Sequence, residues 1–417
     1  MTARPARTTV AIVGAGPAGL VLAHVLRRAG VGVTVHERLS RAALEGTARA
    51  GVLEHRVVAY LRALGLADRL TAEGERHGRC EISCLGERVE VDYGTLSGGA
   101  RHWVYPQQSL VRDLVAAYEA AGGEIAFGSP VAEVAADGDG DGGVLLRTAA
   151  GARLRADYAV GCEGARGVVA AAFPGGAAGP GRRYPYDWLT VLARIDRPVQ
   201  RVRYAVHADG FAGMMPRTAD VGRFYLEVPP GELPGAWAPE RIRAELARRL
   251  DLAGADPRPG ELLETGVLRM RGQVADRIRH GRLLLAGDAA HTVTPSGAKG
   301  LNAAVGDAAD LAGALLADLG GEPGALDGYQ RRRLDAAWRT QEFSDRLLDL
   351  LHLPAGLPPG QRAFALRLRL ERIHRIARPG PEAADFARAY AGAGELPLPA
   401  VWPPAQRTPV ASGTTGR

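Results

Sequence analysis

Three glycines and one acid are the first residues in the chain whose types and spacing suit chemistry. Gly14, Gly16 and Gly19 follow G-x-G-x-x-G spacing, and Glu37 stands a short way beyond them. In a strand-to-helix turn the first glycine permits the tight bend. The second lets the backbone approach a pyrophosphate, and the third lets helix pack on strand. A carboxylate ending the next strand can then accept hydrogen bonds from ribose hydroxyls. A second run, LLLAGDAAHTVTPSGAKGLNAAVGDAADL (283–311), places Asp288 at a strand end, within reach of a sugar-like hydroxyl chain. A helix beginning near Gly297 would aim free N–H groups and partial positive charge at an anion over that loop. The same run holds Lys299, the only lysine of the chain. A third segment, DYAVGCEGAR (157–166), repeats strand, acid and glycine, with Glu163-Gly164 at the turn. Three separated segments converging on one extended dinucleotide are far more specific than any one of them.

The elements that must position these residues follow from periodicity. Thr9 to Val13 reads as a buried strand, Pro17 to Arg28 as a helix and Val31 to His36 as a second strand, a βαβ unit. Arg282 to Ala286 reads as a strand, and Gly297 to Leu311 as a helix after a Pro-containing loop. DGDGDGG (137–143) imitates a calcium loop, but Thr148 stands where the twelfth-position Glu belongs. The flanking alternation in VAEVAA and GVLLRT reads as a hairpin. No metal site is expected. Cys80, Cys84 and Cys162 fit no usual zinc spacing and read as buried free thiols.

With 417 residues and 46% hydrophobic content, the chain can bury a core spanning two or three domains. No apolar run approaches a membrane span, and the N-terminus lacks a signal-peptide core, so a cytoplasmic protein is expected, with no membrane partner. A net charge of +6 raises a nucleic-acid reading. The arginines are dispersed, however, and the one dense triplet, Arg331, Arg332 and Arg333, falls in a helical pattern whose other face carries Leu334, Trp338 and Phe343. A solvated helix face is the expectation there, and no nucleic-acid partner. The basic balance suits an anionic ligand. Neither a G-x-S-x-G elbow nor an H-E-x-x-H helix is present, which removes hydrolase and zinc-protease readings.

The three nucleotide segments, together with RAGVLEHR (49–56), TLSGGARHWVYPQQSLVRDL (95–114), YPYDWL (184–189) and HGRLLLAGDAAHTVTPSGAKGLN (280–302), resemble those of the class A flavoprotein aromatic hydroxylases, particularly the para-hydroxybenzoate hydroxylase subgroup. The resemblance runs to about Pro399. It implies an α/β (α+β) fold: a Rossmann-like FAD-binding domain of the glutathione-reductase type, an inserted sheet-rich substrate domain and a helical C-terminal region. The expected division is 1–181 for FAD, with 78–100 contributing to the substrate sheet, 182–270 for substrate, 271–320 returning to the FAD domain, 321–404 as a helical interface region, and a disordered tail over 405–417. Apolar faces over Leu347 to Leu353, Phe364 to Leu370 and Ile373 to Ile376 would pack a homodimer.

The resemblance also implies chemistry. FAD would be held by Gly14, Gly16, Gly19, Glu37, Arg49, Gln107, Asp288, Gly300, Leu301 and Asn302, with Arg223 balancing flavin positions. Reduced by NADPH or NADH, it would react with O2 to give a C4a-hydroperoxide that hydroxylates the ring of an aromatic carboxylate. Lys299 and the helix start would stabilise negative charge on the reduced flavin. Tyr204 would take the substrate phenol's proton, Tyr390 would pass it on and His77 would exchange it with solvent, while the carbonyl of Pro295 accepts from the same phenol. Arg217 and Tyr225 would grip the carboxylate, with Trp188 and Val52 lining the ring pocket. Arg38, Arg41, Arg166 and Arg271 would meet the phosphates of the nicotinamide nucleotide.

Two positions depart from that pattern. Met215 stands where the family has a carboxylate-binding serine, and Gly213 where it has a pocket leucine. Losing one hydrogen bond costs about 0.5–1.5 kcal/mol, and the expectation is that Gly213 opens one wall while Met215 bulges from another. The sequence therefore leaves open 4-hydroxybenzoate, a substituted analogue such as 3-amino-4-hydroxybenzoate or a similar aminobenzoate with altered regiochemistry, and a flavoprotein that only oxidises NAD(P)H to peroxide when a ligand binds. A basic scaffold or nucleic-acid protein is the reading from a third class, and a bound flavin excludes it.

Overall fold

The computed structural model describes residues 6–47, 51–136, 142–392 and 394–399; Arg49, most of DGDGDGG and the segment 405–417 lie outside them. Two large sheets organise the chain. The first has eight strands, with Ala6–Val13 at its centre, parallel to Val33–His36 on one side and Arg153–Gly161 on the other. Leu283–Leu285 continues it in parallel beyond Arg153–Gly161, so the carboxyl ends of three strands open at one edge, beside Gly14, Cys162 and Ala286. That edge is where open parallel sheets bind ligands. The antiparallel hairpin Val131–Ala136 and Val144–Thr148 joins the same sheet through Arg153–Gly161.

The second sheet has seven strands in the order Pro259–Leu268, Asp187–Ile195, Val221–Val228, Ala212–Thr218, Val202–Val206, Cys80–Cys84 and Glu87–Val91. One face packs on helix Pro239–Arg249. The other is covered by the C-terminal helices Ala325–Leu351, Pro359–Ala377 and Pro381–Ala391.

The helix Pro17–Arg28 forms where expected: Pro17 fits the first helical position, and Leu20, Val21, Leu22, Val25 and Leu26 are buried. The strand after it starts at Val33 rather than Val31, because the Val31 N–H is spent on the helix end, donating to the carbonyl of Leu26 at 3.0 Å. The later helix starts at Lys299, not Gly297, because Gly297 (φ 69°) and Ala298 (φ 54°) are left-handed. It then continues to Leu319.

Two side-chain expectations are corrected in part. Of the arginine triplet, Arg331 and Arg332 are exposed as expected, although Arg332 also pairs with Asp310; Arg333 departs from the solvated face by turning inward to Asp307, and Trp338, expected on the apolar side, is half exposed. Both aspartates lie on the neighbouring helix Lys299–Leu319, and helical periodicity within one helix carries no sign of them. Most of the apolar residues expected at a dimer face, Leu347, Leu348, Leu350, Leu351, Leu366, Leu370 and Ile373, are buried within the chain. Phe364 and Leu368 remain exposed. The three cysteines are free; Cys80 and Cys84 are buried and Cys162 is partly so. Among the described residues no helix is long and apolar enough to cross a membrane, and no group of three or more side chains could hold a metal.

Candidate active site

The nucleotide end is built by close backbone packing. Gly14 has φ 106°, and a Cβ there would lie 2.5 Å from the carbonyl of Cys162; one on Gly19 would lie 2.0 Å from the carbonyl of Gly14. By contrast, a Cβ on Gly16 or Gly300 would meet nothing within 4 Å, so the first turns of both helices face open room. Glu37, buried, accepts from the N–H of Ala15 and of Leu39, both at 2.8 Å. Asp288 is exposed on the one-turn helix Gly287–Ala289. Glu163 is spent inside the protein, accepting from the N–H of Val169 at 2.7 Å, so it caps a short helix rather than presenting a free carboxylate.

Behind Asp288 lies an ion cluster absent from the sequence reading. Asp307, fully buried, accepts from Gly287 N–H (2.8 Å), His291 Nε2 (2.8 Å) and Arg333 Nε (2.6 Å). Burial alone would raise its carboxyl, but His291 and Arg333 outweigh that and hold it at about 2. For His291 burial opposes charge, yet the Asp307 carboxylate wins and raises the imidazole above its ordinary value.

On the face of the seven-stranded sheet under the C-terminal helices, register brings the expected substrate residues into adjacent rows. Tyr204, Gly213, Tyr225 and Thr190 are cross-strand partners in one row. Met215 and Arg223 form the next, and Trp188 and Glu227 lie on the other side. The pairing of Ala212–Thr218 with Val221–Val228 slips between Pro216 and Thr218, so Arg217 sits in an irregularity that re-aims its side chain. Arg217 donates to Gln108 Oε1 at 2.7 Å, and burial, then nearby Arg223, lowers its pKa. Arg223 is buried with Nε and Nη2 lacking any hydrogen-bond partner. Tyr225 is buried close to both guanidiniums, which oppose the rise that burial imposes on its phenol. Two buried arginines facing a row of aromatic side chains form an anion-attracting patch.

The tyrosine pair is formed. The hydroxyls of Tyr204 and Tyr390 lie 3.0 Å apart, both buried, and burial raises both phenols. His77 is nearby without closing the path: its Nε2 lies 3.5 Å from Glu75 and makes no hydrogen bond, and burial lowers its pKa. Its carbonyl accepts from Tyr93, whose ring packs on Tyr390 at 4.8 Å. His77 pairs in register with His102, which sequence reasoning missed. His102 Nε2 donates to the carbonyl of Tyr390 at 2.9 Å; burial, then Lys299, pushes its pKa down to about 4, so it stands neutral.

Lys299 is no exposed lysine. It is 5% exposed and donates to Glu54 Oε1 at 2.7 Å and to the carbonyl of Tyr390 at 2.8 Å. Glu54 accepts from Arg56 on its other oxygen at 2.7 Å. Burial would raise Glu54, but Lys299 and Arg56 hold it at about 2. The three groups leave a local positive excess beside the start of the helix. Asn302 spends its side chain on Glu54 N–H, Val52 O and Ala298 O, tying the strand Val52–Leu53 to that helix and leaving backbone N–H groups as the donors there. Gln107 begins the helix Gln107–Ala120, and Pro295 and Leu301 flank the same turn, each partly buried. Gly213 does not open a wall: a Cβ there would lie 2.9 Å from the ring tip of Phe211, which fills the space. Arg38, Arg41, Arg166 and Arg271 are all exposed, and Arg41 already pairs with Glu45 and Glu119.

Residues 7–344 match the family model described as FAD binding domain. That match spans most of the chain. The chain belongs to the FAD-dependent aromatic monooxygenases. It is 33% identical over 350 residues to p-hydroxybenzoate hydroxylase of Acinetobacter baylyi, covering 83% of this chain and 86% of that protein. It is 32% identical to an aklavinone 12-hydroxylase of Streptomyces purpurascens, covering 79% of this chain and 66% of that one. Among solved structures, an aklavinone-11 hydroxylase with FAD and aklavinone superposes with TM-score 0.71 at 28% identity, over 84% of this chain and 70% of that chain. The p-nitrophenol 4-monooxygenase of Pseudomonas putida shares the fold, with TM-score 0.75 over 93% of this chain and 97% of that one.

The monooxygenase's own residues fit FAD. The open faces at Gly16 and Gly300 would let backbone N–H groups reach phosphate and isoalloxazine oxygens, exposed Asp288 would suit the ribityl hydroxyls, and the unpartnered Nε and Nη2 of Arg223 could donate to an acceptor. Glu54 and His102 lie in the stretches RAGVLEHR and ARHWVY, yet nothing in their spacing points to partners hundreds of residues away.

Proposed function

We propose that this monooxygenase hydroxylates a phenolic carboxylate of the 4-hydroxybenzoate class next to the ring hydroxyl, using NADPH or NADH and O2. When bound and reduced by the nicotinamide, FAD would activate O2 as the electrophile, one oxygen atom entering the ring and the other leaving as water. The chain's own residues prepare the ring. Tyr204 accepts the substrate's phenolic proton while handing its own to Tyr390, whose own proton passes on to solvent by way of His77 once that imidazole comes within reach, making the ring electron-rich during attack; Pro295 offers a carbonyl to the same phenol. Arg217 and Tyr225 hold the carboxylate at the other end of the ring, and Met215 leaves that grip one hydrogen bond short. The observation carrying this reading is the 3.0 Å contact between buried Tyr390, on the helix Pro381–Ala391, and buried Tyr204, which shares its register row with Tyr225.

Lys299 and the helix start would favour negative charge on the reduced flavin, and exposed Arg38, Arg166 and Arg271 would receive the nicotinamide nucleotide's phosphates. A homodimer contact through exposed Phe364 and Leu368 is part of the same reading, as is a reducing cytoplasmic setting, which suits three unpaired cysteines.

The test is NAD(P)H consumption by FAD-loaded protein against 4-hydroxybenzoate, 3-amino-4-hydroxybenzoate, 4-aminobenzoate and other hydroxybenzoates, with mass analysis of products. Stoichiometric ring hydroxylation of a 4-hydroxybenzoate supports the reading. Consumption without any hydroxylated product, across the whole panel, favours a ligand-stimulated oxidase and overturns it.

A further inference from the structure

A closed loop of contacts stands beside the substrate row. Glu227 Oε2 accepts from the backbone N–H of Phe211 at 2.9 Å and from His352 Nδ1 at 2.6 Å. The other imidazole nitrogen, Nε2, accepts from Trp188 Nε1 at 3.2 Å. The Trp188 indole then stacks on the Phe211 ring at 4.6 Å, closing the loop. An indole N–H can only donate, so Nε2 must carry a lone pair and the proton must sit on Nδ1, facing Glu227. Tyr186 lies flat on the imidazole at 3.8 Å, and Arg369 donates to the His352 carbonyl at 2.7 Å. His352 therefore has one orientation and one tautomer, set by Glu227, Trp188 and Tyr186 around the ring.

What this loop fixes is Phe211. Its ring is fully buried, 6.3 Å from the Tyr204 ring, and its tip occupies the volume that a side chain at position 213 would need. The wall near the phenol end of the row is thus made by a residue two positions away in the chain, and the bare glycine at 213 makes room for it.

Building on the phenolic-carboxylate reading above, we infer that Phe211, clamped by Glu227, His352 and Trp188, decides which ring substituents this site accepts. It narrows the room beside the hydroxyl and so disfavours bulky substituents there. Phe211 is the specificity-determining residue, and His352 is a positioning residue that acts through Trp188 and Glu227.

The experiment compares holoenzymes of the wild type, Phe211→Ala, Phe211→Leu, His352→Phe and His352→Gln. It measures Kd from the flavin absorbance change and kcat/KM for 4-hydroxybenzoate and for 3-methoxy-4-hydroxybenzoate. In Phe211→Ala the ratio of the bulky to the plain substrate should rise by about tenfold or more, the scale of pocket discrimination by small groups. Phe211→Leu, a milder cavity, should move the same way and stands in if the alanine variant fails to fold. His352→Phe keeps the ring against Tyr186 but loses both hydrogen bonds, so its ratio should also rise. His352→Gln keeps a donor and an acceptor and should restore the wild-type ratio. An unchanged ratio in a folded Phe211 variant that still hydroxylates 4-hydroxybenzoate overturns the inference alone. If the wild type neither binds nor hydroxylates any phenolic carboxylate, the functional reading falls and this inference with it.

Discussion

Replacing Asp307 with Asn should uncouple the Gly287-Asp288 turn from its buried anchor. The carboxylate serves three donors at once, and two of them, His291 and Arg333, are cations. Asn keeps the shape and one acceptor but removes the carboxylate that meets both cations at hydrogen-bond distance. Breaking one partner of a buried ion pair costs about 3–5 kcal/mol, a large part of the roughly 5–15 kcal/mol that holds a domain folded. The pH profile should change as well. His291 is raised above its ordinary 6.5, so its contribution is complete below that value and lost as pH rises through the raised folded value. Asp307 is lowered from 3.8 to about 2, so its contribution is present above 3.8 and lost as pH falls through about 2. In Asp307→Asn the alkaline decline assigned to His291 should vanish. Urea unfolding of apoprotein at several pH values gives both quantities, and FAD titration by fluorescence should show at least about tenfold weaker binding. A variant within about 1 kcal/mol of wild type, with the same alkaline decline, would refute this account.

Other expectations follow from the same geometry. Tyr390→Phe removes the acceptor 3.0 Å from Tyr204, and rapid-quench product analysis should show hydroxylation slowed by about 100-fold or more, with NAD(P)H oxidation persisting as peroxide. Arg217→Ala should raise KM for a carboxylated phenol by about 30-fold, from a loss of about 2 kcal/mol or more at a buried charge contact; no such rise for a phenol lacking the carboxylate is expected. Lys299→Met leaves Glu54 buried with Arg56 as its ion-pair partner. Stability should fall by about 3–5 kcal/mol. Glu54 is lowered from 4.5 to about 2, so its stabilisation is lost on acidification, and in the variant that loss should begin at a higher pH in an acid-unfolding series.

What the sequence made legible was local. The turn at Gly14, Gly16 and Gly19 is specified within one βαβ unit, and the structure reproduces the helix Pro17–Arg28 to the residue. Lys299 was visible because it is alone, but its state was not: Glu54 lies 245 residues away in sequence, and only the fold joins them. The same reason hid Asp307 behind Arg333, which looked solvated because a helix's own periodicity is silent about a neighbouring helix. Gly213 was misjudged because the volume of a missing side chain belongs to whichever neighbour reaches it, and sheet pleat and a stacked indole send Phe211 there. Tyr204 and Tyr390 came together although one is on a strand and the other on the last described helix.

The proposed reaction inserts one oxygen atom from O2 into the ring of a 4-hydroxybenzoate. FAD-loaded protein supplied with NAD(P)H, 4-hydroxybenzoate or its 3-amino derivative, and heavy-isotope dioxygen tests it most directly by mass spectrometry of the product. The account predicts a dihydroxylated ring carrying a single heavy oxygen beside the original hydroxyl, in proportion to nicotinamide consumed. Nicotinamide oxidation that yields only labelled peroxide, with both aromatic compounds recovered unchanged, would contradict it.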